Sequence, residues 1–71
     1  MSEDSRFVAV RRSGTWAVTR EGTKELPSFH ANEFEAWTEA RRRARGAAGE
    51  AVLHGRQGSI KAINRYGIAK R

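Results

Sequence analysis

The chain has 71 residues, no cysteine and a formal net charge of +6. This length allows one domain with a small core, and without cysteine there is no disulfide brace and no thiolate ligand or nucleophile, which fits a reducing compartment. No apolar run is long enough for a bilayer, and the polar, acidic start Met1-Ser2-Glu3-Asp4-Ser5 is unlike a secretory leader, so the expected location is cytoplasmic with no membrane partner.

Residues 1–5 read as a flexible tail, residues 6–64 as one domain and residues 65–71 as a basic tail. Arg6–Arg11 reads as a strand. Arg12-Ser13-Gly14 is a turn signal with Gly14 free to take positive φ, and Thr15–Arg20 is the returning strand, with Trp16 and Val18 on one face. In the first strand Phe7/Ala9 and Val8/Val10 are both apolar, so the pattern leaves its buried face open. Residues 24–30 suit a third, short strand, and Pro27 confines it to an edge because it lacks the N–H a ladder needs.

A helix follows. Asn32 suits the N-cap, and Glu35 three residues later completes a capping-box pattern. Glu33 and Glu35 in the first turn, and Arg41, Arg42, Arg43 and Arg45 toward the end, suit the helix dipole. Glu39 and Arg43 form an attractive pair four residues apart. Ala36, Trp37, Ala40, Ala44, Ala47 and Ala48 make one apolar stripe, and Gly49 is the expected stop. Glu50–His54 then reads as a strand, Gly55–Gly58 as a tight turn and Ser59–Ile63 as the strand coming back. One helix with one stripe needs one sheet face. The predicted fold is a two-layer α+β domain: a small antiparallel sheet of two hairpins, with a short fifth edge strand, packed against one helix in the order β-β-(β)-α-β-β.

Gly14-Thr15-Trp16-Ala17-Val18, the Ala36/Ala40 helix, Val52-Leu53-His54-Gly55-Arg56-Gln57-Gly58-Ser59-Ile60 and Tyr66-Gly67 together resemble a bacterial and phage family called domain of unknown function 2188. Its members carry a G-W-A-V hairpin, a helix with spaced alanines and an H-G-R-D-G-x-I turn before a Tyr-Gly. The resemblance spans roughly residues 7–67. The chain departs from it at Gln57, Thr15 and Arg11, where Asp, Gly and Pro are frequent. The resemblance implies a fold and a size, and no activity.

Charge is the sharpest functional signal. Residues 1–35 carry five Lys/Arg against six Asp/Glu, whereas residues 36–71 carry nine against two, Glu39 and Glu50. The surplus belongs to the second half, and nucleic acid is the first partner it suggests. Guanidinium forks match phosphate oxygens, and each neutralised phosphate releases counterions. Arg41, Arg42, Arg45, Arg56, Lys61 and Arg65 are the candidate phosphate contacts, with Arg11, Arg12 and Arg20 second in rank. The plainer account of the helical arginines is a solvated face with dipole-favoured cations. Trp16 and Trp37 are expected in the core, which leaves Tyr66 as the aromatic able to stack on a base.

Nothing in the chain points to catalysis. Ser13, Ser28 and Ser59 sit in turns or at strand ends, with no nucleophile elbow, Walker lysine or paired carboxylates beside a histidine. His30 and His54 alone make an incomplete metal site. The expectation is a non-enzyme with no cofactor and no small-molecule substrate, binding double-stranded DNA through phosphates with weak sequence preference. The alternative is a protein-interaction module, a homodimer through exposed sheet edges or an inhibitor of another protein included, with no nucleic-acid role.

Overall fold

The computed structural model describes residues 5–55 and 58–66. Six elements follow in chain order: β1 (Arg6–Arg12), β2 (Thr15–Arg20), β3 (Ser28–His30), α1 (Glu33–Gly46), β4 (Glu50–His54) and β5 (Ile60–Arg65). The five strands form one sheet in the order β3-β2-β1-β4-β5, and α1 lies across it. This is the α+β architecture expected from the pattern, with the short third strand at an edge. One join differs from an all-antiparallel sheet: β4 runs parallel to β1, pairing Phe7 with Ala51 and Ala9 with Leu53. The helix is the reason. It carries the chain back along the sheet after β3, so β4 must run in the direction of β3, which is also that of β1.

Local chemistry explains each element. The β1–β2 hairpin closes on Ser13 and Gly14, both at positive φ (50° and 81°), a turn whose twist matches that of the strands. Asn32 caps α1: its side-chain oxygen accepts from Glu35 N–H at 2.9 Å. The return arm of the capping box reaches one residue further back, where Glu35 accepts from Ala31 N–H at 3.4 Å. The helix ends in a Schellman arrangement. Gly49 N–H donates to Ala44 C=O (2.8 Å) and Ala48 N–H to Arg45 C=O (3.3 Å). Ala48, not Gly49, takes the left-handed conformation there (φ 55°). Gly49 serves close approach instead, since a Cβ on it would fall on the backbone of Ser5.

Register decides which strand face is buried. Phe7 and Ala9 of β1, Trp16 and Val18 of β2, and Ala51 and Leu53 of β4 meet Ala36, Ala40 and Ala44 of α1. Alanines four residues apart let the helix backbone approach closely, so the bulk comes from Phe7, Trp16 and Leu53. Trp37, Ala62 and Tyr66 close the β5 side of this core, while Ala47 and Ala48, predicted on the stripe, are exposed in the cap. The second strand of the C-terminal hairpin runs on through Arg65, so Arg65 belongs to the sheet, and Tyr66 N–H donates to Gly49 C=O at 2.8 Å. Most of the predicted N-terminal tail and residues 67–71 of the basic tail lie outside the described residues. Among the described residues no helix is long and apolar enough to cross a membrane.

Candidate nucleic-acid interface

The carboxylates set which cations are available. Arg6 pairs with Glu21 (3.4 Å) and Glu50 (3.2 Å), and Arg20 with Glu25 (3.3 Å). Arg43 pairs with Glu25 (3.1 Å), Lys61 with Glu33 (2.7 Å) and Arg65 with Glu50 (3.5 Å). Glu39 is held chiefly by Arg42, whose Nε and Nη2 donate to it at 3.0 and 2.7 Å. Arg43, the partner expected from helical spacing, stands 4.0 Å away. The paired hydrogen bonds from Arg42 hold the Glu39 carboxyl below the usual carboxylate range, and they raise the Arg42 guanidinium in turn. Among the described residues, Arg11, Arg12, Lys24, Arg41 and Arg45 have no carboxylate within ion-pair distance.

Two of these stand together. Arg41 and Arg45 lie one turn apart on the side of α1 that faces β5, in line with Trp37. The Arg41 guanidinium carbon is 5.3 Å from the centre of the Trp37 ring, and Arg41 Nε donates to Trp37 C=O at 3.4 Å. The Arg45 guanidinium is 5.8 Å from the centre of the Tyr66 ring. Both rings pack on the core. Each guanidinium thus rests on an anchored aromatic, which limits its motion and leaves N–H edges for an anion.

The other candidates spread around this pair. Arg42 is on the solvent side of α1, engaged with Glu39, and Lys61 is on β5, drawn to Glu33 at the start of the helix. By register Arg65 is on the sheet face away from α1, opposite Glu50. Arg56 lies outside the described residues. Of the second rank, Arg20 sits 5.5 Å from the Phe7 ring centre and donates to Ser5 Oγ at 2.8 Å. Arg12 faces away from α1 at the hairpin end. Arg11 borders an open cavity of about 350 Å³ at the start of α1, lined also by Gly14, Trp16, Ala31, Asn32 and Glu33.

Trp16 is buried in the core as expected, and Trp37 is partly buried under Arg41. Tyr66 has Arg45 over its ring, and its hydroxyl accepts from Asn64 at 3.3 Å. His30 Nε2 is 2.9 Å from Ser28 Oγ, and His54 Nδ1 donates to Gly58 C=O at 2.9 Å. Among the described residues no group of three or more His, Asp or Glu side chains could hold a metal. Sequence reasoning missed the Arg6–Glu50–Arg65 row and the Arg43–Glu25 pair. Both depend on strand order and loop path, for which the sequence carries no local signal.

No curated protein and no solved structure matches the chain. A family model does, over residues 6–66, nearly the whole length of the domain. The chain therefore belongs to the family described as an uncharacterized protein conserved in bacteria, DUF2188.

Proposed function

We propose that this protein is a small cytoplasmic module, a binder rather than a catalyst, that holds double-stranded DNA by its phosphates with weak sequence preference. The reading is carried by Arg41 and Arg45. They stand one turn apart, each on an anchored ring, and neither has a carboxylate partner among the described residues. Arg42 and Lys61 border the same helix and reach phosphate by exchanging Glu39 and Glu33 for it, at small cost because surface ion pairs contribute little. Arg56 completes the proposed contact set, whereas Arg65, paired with Glu50 on the sheet face away from α1, falls outside this surface. Duplex is favoured over single strand because the aromatic faces that would stack on bases are occupied: Trp16 by the core, Trp37 and Tyr66 by their arginines.

The test is a fluorescence-anisotropy titration against random duplex and single-stranded DNA at about 50 and 200 mM salt, where counterion release is plain. Micromolar duplex binding that weakens steeply with salt is expected. A folded sample that binds neither form at the lower salt refutes the reading. The competing reading as a protein-interaction module has one specific observation in its favour, the sheet face on which no described element packs.

A further inference from the structure

The helix covers one face of the sheet, and among the described residues no element layers the other. By register that second face carries Val8 and Val10 of β1, Ala17 and Thr19 of β2, Phe29 of β3, Val52 of β4 and Ile63 of β5. These residues align across the strands. One row runs Thr19, Val8, Val52, Ile63, and the next begins Phe29, Ala17, Val10. Ala17 and Val52 are already 0 % and 2 % exposed among their neighbours, while Phe29 and Ile63, on the two edge strands, are 61 % and 47 % exposed. The result is a continuous apolar surface across five strands. β1 and β4, the parallel pair, carry apolar residues on both faces, with Val8, Val10 and Val52 on this one, the pattern of strands covered on both sides.

We infer that this face is covered by a second copy of the chain, packed sheet against sheet. Charge supports that occupant. The chain as a whole is at +6, which opposes self-association. On this face, however, the charged row at one end is internally compensated: Arg6 and Arg65 hold Glu50 between them, and Arg6 also holds Glu21. The unpaired Arg41 and Arg45 lie on the helix layer, away from it. Among the described residues Arg12 is the one unpaired cation on this face, and it sits at the hairpin end beyond the apolar rows. A second copy can therefore approach the apolar rows against the charge of Arg12 alone. The area is also adequate. With β3 only three residues long and the other strands five to seven, at about 3.3 Å per residue and about 4.8 Å spacing the face offers roughly 430 Å² per copy and roughly 850 Å² for the pair, the size of a weak, concentration-dependent interface. Two twisted sheets stack about 10 Å apart and nearly aligned, which lets Val8, Val10, Phe29 and Ile63 of each copy interdigitate. The interface is isologous, so it closes at two copies.

The inference stands apart from DNA binding, and its test contains no DNA. Sedimentation equilibrium of the full chain between about 10 µM and 1 mM, the range suited to so small an interface, is expected to show the mass rising from 8.0 kDa toward twice that value. Ile63→Lys and Phe29→Glu alter exposed side chains on opposite edges of the face, and each is expected to hold the mass at that of one chain while the circular dichroism stays native. Phe34→Glu, at an exposed position on the helix, is expected to leave the dimer intact. Wild-type protein that remains a monomer throughout overturns the inference. So does a dimer that survives both sheet-face variants, or one that Phe34→Glu dissociates. If one sheet-face variant fails to fold, the other decides.

Discussion

Gly49 passes the backbone of Ser5 so closely that no side chain fits between them. The next residue, Glu50, donates its N–H to Ser5 C=O at 2.8 Å, so this crossing joins the start of β4 to the start of β1. Gly49→Ala must push the two backbones apart where the parallel pair begins. The expected loss is at least about 2 kcal/mol. A chain of this size would then melt at least about 8 °C lower, which a circular-dichroism melt reads directly.

The preceding residue should behave in the opposite way. Ala48 is exposed and left-handed at φ 55°, a conformation that costs a Cβ-bearing residue about 1–2 kcal/mol. Ala48→Gly removes that cost and loses no packing. Part of the gain is offset by the greater freedom of glycine in the unfolded chain. A net stabilisation of about 0.5–1 kcal/mol is expected, seen as a higher denaturant midpoint at unchanged slope.

Arg41 and Arg45 should each act on DNA binding through charge alone. Replacing either by alanine is expected to weaken duplex binding roughly tenfold at about 50 mM salt and to flatten the log–log salt dependence by about one unit, equally for unrelated sequences. Glu39→Gln should act oppositely, freeing Arg42 and tightening binding about two- to fivefold. Anisotropy titrations of the three variants on two unrelated duplexes check this. An effect confined to one sequence would point to base contacts instead.

The Glu39–Arg42 pair also sets a pH dependence. Because the carboxyl is lowered in the folded protein, its contribution to stability is complete above the ordinary carboxylate range and disappears as pH falls through the lowered folded value. Wild type should therefore exceed Glu39→Gln in stability at neutral pH, and the gap should close on acidification. Urea unfolding of both proteins at pH 7, 5 and 3 measures it. A gap that widens toward acid would contradict the assignment.

Much of this protein is written locally. Ser13-Gly14 between two β-rich runs specifies a tight hairpin, Asn32 with Glu35 starts the helix, and Ala36, Ala40 and Ala44 mark its buried stripe, because turns, caps and helical periodicity act within a few residues. What only the tertiary structure decided is non-local. The alternation in β1 allowed either face inward, and packing of Phe7 and Ala9 against the helix chose one, leaving Val8 and Val10 on the open side. Nothing near Glu50 says that it will sit between Arg6 and Arg65; the parallel join of β4 to β1 puts it there. The arginines of the helix are alike in sequence, yet Arg42 and Arg43 are claimed by Glu39 and Glu25, while Arg41 and Arg45 settle on rings. Composition determined how much positive charge this chain carries. Strand order and register determined where it is left unpaired, because ion pairs form between groups that only folding brings within a few ångströms.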